Sequence, residues 1–255
     1  MYRYAAAAFT LAALGSLLLF PAPEFLAHLL AAAGFSIAFD IAFGYIKNRA
    51  LHIPYSAYIT GIIIGLLLSP SLDFLPVLLV SLLAIGSKHL LKWKNTHIFN
   101  PAAFGLVLAG LILPISVSWH GVSSLLLIAP LGLALMYFTK TLATGLSFFI
   151  SFAVILALQA LVSGNNPAIM LESLAFIGTT VFFAFFMVVE PKTASVTPAG
   201  KTLFGVLVAL LCFASLSLMP ELFPLLGLLA ANALRGRVTF LAQLASKITA
   251  KPTSA

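Results

Sequence analysis

Apolar residues run through this chain in long stretches, and short polar segments separate one stretch from the next. A helix needs about 20 apolar residues to cross a bilayer, and fewer where it is broken or re-entrant. The pattern therefore predicts ten membrane-spanning helices. They are expected near residues 5–21, 25–46, 56–69, 74–91, 101–118, 122–138, 144–163, 168–189, 202–219 and 222–236.

The composition agrees with a protein surrounded by lipid. Hydrophobic residues make up 62% of the chain and charged residues 7%, against roughly 25% charged residues in a soluble domain. We therefore expect an all-α integral membrane protein whose main surroundings are the lipid bilayer. The 13 basic residues outnumber the 6 acidic ones but form no patch, so no nucleic-acid partner is expected. The single cysteine, Cys212, lies in an apolar span and suggests no disulfide or metal cluster.

The basic residues test the number of spans independently. If the N-terminus is cytoplasmic, every basic residue falls in an inner loop or at a span end beside one, as positively charged loops of membrane proteins do. The acidic residues Glu24, Asp73, Glu172 and Glu221 fall on or beside the outer loops. Ten spans with both termini in the cytoplasm are predicted. The basic residues are Arg3, Lys47, Arg49, Lys88, Lys92, Lys94, Lys140, Lys192, Lys201, Arg235, Arg237, Lys247 and Lys251.

Two segments suggest an internal repeat. Residues 58–70 and 178–191 both carry threonine and glycine near the start and proline at the end. Five spans in each half would give the halves opposite orientations, and inverted repeats place binding sites at broken helices near the membrane midplane. We expect one transmembrane domain over residues 1–237, with repeats of about 1–118 and 122–237, followed by a cytoplasmic C-terminal tail over 238–255.

The densest polar stretch runs over residues 88–105, between two predicted spans. Within it, Asn100-Pro101 begins an apolar span three residues after His97. Asparagine is a good helix cap and proline suits a first helical position, so one interpretation is a simple N-cap. In the other, the helix begins inside the protein, and Asn100 and His97 offer hydrogen bonds to a polar heterocycle or an anion.

Two carboxylates also allow two interpretations. Glu190 ends the eighth span, where the helix dipole disfavours negative charge. It either pairs with Lys192 or Lys201, or accepts a hydrogen bond from a ligand N–H. Asp40 lies inside the second span, where an ionisable residue is costly and a functional candidate, although it is close enough to the boundary to pair with Lys47.

Other chemistry finds little support in the sequence. His89 and His97, eight residues apart without a nearby carboxylate or thiolate, make a poor metal site. No pattern indicates a catalytic triad, a phosphate loop or the ligands of an iron–sulfur cluster. We therefore predict no catalytic residue and no metal site in this chain.

Three stretches resemble a known family. GSKHLLKWKNTHIFNPAAFG over residues 86–105 is similar to the signature of the RnfD/NqrB family, membrane subunits of the Rnf electron-transport complex and of the sodium-pumping NADH:quinone reductase. Two further stretches resemble the family in the same order. The first is residues 40–49 followed by SAYITGIIIGLLLSP, and the second is FFMVVEPKTASVTPAGKTLFG. These separate stretches span about residues 36 to 205, and the resemblance implies two inverted five-helix repeats in a urea-transporter-like fold.

The resemblance also implies electron transfer through a flavin. Riboflavin or FMN would be held non-covalently near the inner side, with Asn100, Glu190, His97, Thr60 and Lys88 as the candidate binding residues. His97 stands where the family usually has asparagine, and Glu190 where it has aspartate. The SGAT-type motif to which relatives attach FMN covalently is missing from the short intervening segment. No covalent FMN is expected.

The family comparison implies a plasma-membrane subunit that needs other electron-transfer subunits as partners, so activity as an oxidoreductase by this chain alone is left open. A small-solute transporter or channel of the same fold, without redox activity, is the alternative function. A third hypothesis is a structural membrane subunit that binds no ligand.

Overall fold

Helices make up most of the computed structural model, which describes residues 2–48, 53–93, 96–113, 115, 117–119, 122, 124–166, 174–194 and 197–249. Arg49, Lys94, Glu172 and Lys251, used above to predict the topology, lie outside these residues. In chain order the elements are α1 (Tyr2–Leu19), α2 (Pro23–Asn48), α3 (Tyr55–Leu67), α4 (Phe74–Leu90), β1 (Lys92–Trp93), β2 (Thr96–His97), α5 (Pro101–Ile112), α6 (Leu125–Thr139), α7 (Leu142–Val162), α8 (Leu174–Phe182), a π-helical segment (Phe183–Met187), α9 (Pro198–Ser215) and α10 (Phe223–Thr249).

Several helices have the length and surface of membrane spans. Among the described residues, α1, α2, α7 and α9 are long and apolar enough to cross a bilayer unaided. Large apolar side chains also face outward: Leu18, Leu126 and Val162 are exposed by 84%, 92% and 90%. Such exposure is unfavourable in water and is expected against lipid. The chain is therefore an all-α membrane protein.

Helices α3 and α5 are shorter than a full membrane span, and α3 ends within the protein. Helix α3 has 13 residues, about 20 Å at 1.5 Å per residue, and α5 has 12. The carbonyl of Leu67, at the end of α3, accepts hydrogen bonds from the backbone N–H groups of Ser118 and Trp119 at 2.9 and 3.2 Å. Protein groups thus satisfy the free helix end, as a broken helix in lipid requires. The fifth span was predicted to continue as helix to residue 118, but α5 stops at Ile112.

The π-helical segment continues α8 through the centre of the bundle. All five of its residues, Phe183–Met187, are buried, and so are the next two valines. Stacked and edge-to-face aromatic contacts surround it, including Phe182 with Phe186 at 5.0 Å and Phe148 with Phe183 at 5.2 Å between ring centroids. Such wide helical turns are rare and frequently occur at functional sites. The backbone that follows leads directly to Glu190.

Helix α10 is longer than the pattern predicts. The last span was expected to end near residue 236, with a separate tail from residue 238. Instead, one helix continues from Phe223 to Thr249. Arg235 and Arg237 lie within it. The two arginines interrupt the apolar pattern without interrupting the helical backbone, because arginine is a good helix former, and the end of the membrane span near residue 236 stays a prediction.

Two glycines, each the fifth residue of its helix, allow close packing. Gly105 is the fifth residue of α5, and a Cβ there would lie 2.5 Å from the backbone oxygen of Val80 on α4. Gly227 is the fifth residue of α10, and a Cβ there would lie 2.5 Å from the backbone nitrogen of Cys212 on α9. Small residues let helix backbones approach one another in membranes.

We expect Gly105→Ala to destabilise the protein, because the new methyl group would push α5 away from the α4 backbone. Overpacking of this kind costs about 1–3 kcal/mol, or roughly 2–10 °C in melting temperature for a chain of this size. Thermal unfolding in mild detergent measures the shift. Gly86→Ala on α4 is the matched control, since nothing would lie within 4 Å of a Cβ added at that position. Equal shifts in the two variants would contradict the packing argument.

Candidate functional site

A contact between the two halves of the chain lies at the centre of the candidate site. The Nε2–H of His97 donates a hydrogen bond to Oε1 of Glu190 at 2.9 Å. The β1–β2 hairpin holds His97, whose partner across the ladder is Lys92. His97 is 3% and Glu190 16% exposed at the side chain. Because a carboxylate only accepts hydrogen bonds, the contact fixes which ring nitrogen of His97 carries a proton.

The second oxygen of Glu190 is also occupied. Oε2 accepts a hydrogen bond from Thr193 Oγ1 at 3.1 Å. Of the two lysines considered as partners from the sequence, Lys201 donates to the backbone oxygen of Lys140 at 2.7 Å. Lys192 lies over the ring of Tyr2, with 5.2 Å between its Nζ and the ring centroid. Glu190 is therefore held by His97 and Thr193.

Asn100 caps helix α5. Its Oδ1 accepts a hydrogen bond from the backbone N–H of Ala103 at 3.0 Å, and Pro101 occupies the first helical position. The structure thus shows the N-cap that the sequence suggested. The cap uses the side-chain oxygen and not the NH2 group, so a further role for the amide stays a prediction.

Helix α10 connects the elements that carry these residues. Asn232 Oδ1 accepts from the backbone N–H of Asn100 at 2.9 Å, and its Nδ2 donates to the backbone oxygen of Thr193 at 3.4 Å. Arg235 donates to the backbone oxygen of Lys192 and, at 3.4 Å, to Thr96 Oγ1 in the hairpin. One helix therefore positions both the start of α5 and the segment after Glu190.

These residues border an apolar cavity that we call the Asn100 pocket. Thr60, Asn100 and Glu190 lie among apolar and aromatic side chains in its wall, and the cavity measures about 50 Å³. Thr60 donates to the Ser56 backbone oxygen on its own helix at 2.9 Å. The Tyr2 hydroxyl is buried here without a well-formed hydrogen bond. The lining residues are Tyr2, Ala5, Phe9, Ser56, Ile59, Thr60, Ile63, Asn100, Pro101, Leu135, Thr139, Phe186, Val189, Glu190 and Pro191.

A second cluster joins helices α2 and α4. Asp40 is fully buried, and its Oδ1 accepts from Lys88 Nζ at 2.8 Å and from His89 Nε2 at 2.7 Å. The ring of His89 also stacks on Phe43, with 5.4 Å between ring centroids. The sequence suggested Lys47 as a partner for Asp40; the short ion pairs found here are with Lys88 and His89.

Beside the Asn100 pocket lies a wider, open cavity of about 490 Å³. Lys47, Lys88, Lys92 and Lys192 line it together with Asp40 and His89, and we call it the lysine basin. The two cavities share Tyr2 and Ser56 in their walls. An apolar cavity and a strongly basic one therefore lie next to each other.

The structure brings together four of the five candidate residues. Thr60, Asn100 and Glu190 line one pocket, and His97 contacts Glu190. Lys88 lies apart, in the lysine basin and against Asp40. Sequence reasoning missed Tyr2, Thr193 and Asn232. Asn232 could have been found, because an amide inside an apolar span commonly binds another helix, whereas nothing in the sequence marked the other two.

Fold and site together define a class of protein: an all-α membrane protein with a buried polar contact between helix ends beside an apolar pocket. Among the described residues, no group of three or more His, Cys, Asp or Glu side chains could hold a metal ion. No family model matches the chain.

Known relatives nevertheless match parts of the chain. The D subunit of the ion-translocating oxidoreductase complex of Mannheimia succiniciproducens is 51% identical over 51 residues, 20% of this chain and 14% of that protein. The corresponding protein of Haemophilus ducreyi is 39% identical over 67 residues, 26% of this chain and 19% of that protein. That of Actinobacillus succinogenes is 46% identical over 48 residues, 19% of this chain and 14% of that protein. The resemblance to the RnfD side of the RnfD/NqrB family is confirmed, over less than a fifth of the relatives' length.

Proposed function

We propose that this chain is a membrane subunit of a flavin-dependent electron-transfer system of the Rnf/Nqr type. It binds riboflavin or FMN non-covalently at the Asn100 pocket. It lies in the plasma membrane with other electron-transfer subunits as partners, as the name of its relatives, subunits of an ion-translocating oxidoreductase complex, suggests. The flavin would supply one- and two-electron redox chemistry, and this chain would supply its binding and orientation.

The convergence of both halves of the chain at one pocket supports this proposal most strongly. Thr60 and Asn100 come from the first half and Glu190 from the second, although 90 residues separate the last two in sequence. Apart from Ser56 and Thr139, apolar and aromatic side chains form the rest of the wall. Flat heterocyclic cofactors are typically held by such walls with a few polar groups at one edge. The buried Tyr2 hydroxyl adds a donor that the protein leaves without a well-formed bond.

The pocket's chemistry suits a flavin ring, but its present volume does not. About 50 Å³ accommodates a few water molecules, whereas ligand pockets usually enclose about 300–1,000 Å³. Binding therefore requires side chains to move. Tyr2 and Ser56 line both cavities, so we expect the pocket to open towards the lysine basin at these two residues.

The helix packing supports the proposed ten spans in two repeats. In the first half α1 packs on α3, α2 on α4 and α4 on α5; in the second half α6 packs on α8, α7 on α9 and α9 on α10. These three pairs recur with each helix number raised by five, although the close contact of α2 with α3 corresponds only to a smaller contact between α7 and the π-helical segment. The glycine contacts at Gly105 and Gly227 agree with this equivalence. Two inverted five-helix repeats with both termini in the cytoplasm fit this arrangement.

We expect the purified protein to show a flavin absorption band that bleaches with dithionite. Asn100→Ala should lower the flavin content about tenfold, because a buried ligand loses a hydrogen-bond partner. Asn100→Ser keeps an oxygen that can cap α5 but lacks the amide NH2 group. Low flavin content in both variants indicates a ligand role for the amide; recovery in the serine variant indicates the cap alone.

Asn165→Ala, in an exposed turn after α7, is the matched control and should keep the flavin content of the unchanged protein. The decisive measurement is the spectrum of the unchanged protein in mild detergent. A colourless preparation that is fully folded, and that takes up neither riboflavin nor FMN on titration, would refute the proposed flavin binding.

A further inference from the structure

The lysine basin collects positive charge from four separate parts of the fold. Lys47 comes from the end of α2, Lys88 from α4, Lys92 from β1 and Lys192 from the segment that follows the π-helical turns. Their side chains line one concave cavity of about 490 Å³. Apart from Tyr2 and Ser56, its lining residues differ from those of the Asn100 pocket.

Negative charge in the basin is too small to balance these cations. Asp40 is the carboxylate among the lining residues, and its Oδ1 already binds Lys88 and His89. The repulsion is visible at Lys92, whose pKa is lowered by partial burial and then by the nearby charges of Lys47, Lys88 and Lys192. Asp40 opposes this effect only in part. Entry of an anion into the basin is therefore electrostatically favourable.

Membrane topology alone does not explain this arrangement. Lysines that only mark the cytoplasmic side of a membrane protein lie in its loops, where water surrounds each charge. Here Lys88 is 13% exposed at the side chain, and Lys192 lies over the aromatic ring of Tyr2. Contacts with Asp40 and Tyr2 thus hold Lys88 and Lys192 in place at the cavity, whereas Lys47 and Lys92, which also line it, are exposed. Lysine ammonium groups bind phosphate oxygens through charge-assisted hydrogen bonds.

We propose that the lysine basin binds a phosphate group, carried either by an anionic lipid or by a water-soluble phosphate compound. The four ammonium groups surround the phosphate oxygens and replace water as their hydrogen-bond donors. Asp40 stays paired with Lys88 and His89 and holds these two side chains in place. The basin is open on one side, so either kind of molecule can enter.

Two binding measurements on the full chain test this proposal and separate the two sources. In the first, inorganic pyrophosphate is titrated calorimetrically, at low salt, into protein held in phosphatidylcholine nanodiscs. In the second, native mass spectrometry counts phosphatidylglycerol and phosphatidylcholine molecules retained by the protein. We expect the unchanged chain to bind pyrophosphate, to retain phosphatidylglycerol selectively, or to do both. Loss of pyrophosphate affinity with added NaCl is expected, because salt screens the charges.

The variant Lys92→Gln/Lys192→Gln should weaken this binding at least about tenfold, since each charge-assisted hydrogen bond contributes substantially. Lys140→Gln/Arg237→Gln removes the same charge from exposed positions outside the basin and should change binding by less than about twofold. Lys47→Gln serves in place of the double variant if that protein does not fold. Absence of binding in both measurements, or equal losses in the basin and control variants, would overturn the proposal. Flavin content is measured separately and does not enter the result.

Discussion

Replacing Lys88 with methionine should destabilise the protein more than any other lysine substitution in the described part of the chain. Asp40 is fully buried, and Lys88 supplies the ammonium group 2.8 Å from its Oδ1. Removing one partner of a buried ion pair costs about 3–5 kcal/mol, because the other charge stays in a medium of low dielectric constant. For a chain of this size, the melting temperature should fall by about 10 °C.

The reverse substitution should cost less. Asp40→Asn removes the buried charge and leaves Lys88, which is 13% exposed and whose long side chain can turn towards water. The double variant Asp40→Asn/Lys88→Met removes both charges and should recover much of the loss seen with Lys88→Met alone. This non-additivity is the signature of direct coupling.

Thermal unfolding in mild detergent, followed by size-exclusion chromatography, compares the four proteins. Lys140→Met is the control, because that lysine is exposed at the end of α6 and makes no described ion pair. If Lys88→Met lowered the melting temperature no more than Lys140→Met does, the Asp40–Lys88 pair would not contribute to stability. If the double variant were no more stable than Lys88→Met, the buried charge would not be the cause.

Local sequence signals predicted the helix ends well where the chemistry is local. Asn100-Pro101 predicted both the start of α5 and its cap, since the capping bond joins residues only three positions apart. Glu190-Pro191 likewise predicted the end of the eighth apolar helix from two adjacent residues. The π-helical segment before it was not predicted, because its residues Phe183–Met187 are apolar like those of any buried helix.

Partners distant in sequence were harder to predict. Asp40 binds Lys88 and His89, 48 and 49 residues later, although Lys47 is its basic neighbour in sequence. The choice depends on α2 packing against α4, which hydrophobic periodicity does not determine when helices are apolar on every side. The same reason explains why Lys88 was grouped with Asn100, its near neighbour in the chain, although it faces a different cavity.

Tertiary packing also decides which polar residues share a site. His97 and Glu190, 93 residues apart, were placed near each other by family resemblance rather than by periodicity, and the structure joins them at 2.9 Å. The family resemblance did not point to Asn232, which contacts Asn100 after His97 and Thr193 after Glu190. The candidate site therefore rests on a third element, α10, that sequence reasoning treated only as a span.

Asn232→Ala should both destabilise the protein and lower its flavin content. The backbone N–H of Asn100 would lose its partner at 2.9 Å, and the backbone oxygen of Thr193 would lose its partner at 3.4 Å. Leaving a buried backbone group unsatisfied costs about 1–3 kcal/mol, so the melting temperature should fall by roughly 2–10 °C. Because these bonds position Asn100 and the segment after Glu190, the proposed flavin should be retained less well.

Arg237→Ala is the matched control on the same helix. Its side chain is exposed, so its loss should leave the packing between α5 and α10 intact. Melting temperature and absorbance at the flavin band are measured together for both variants. A large fall in stability with full flavin content would assign Asn232 to folding alone. No change in either quantity would show that the α10 contacts do not hold the site together.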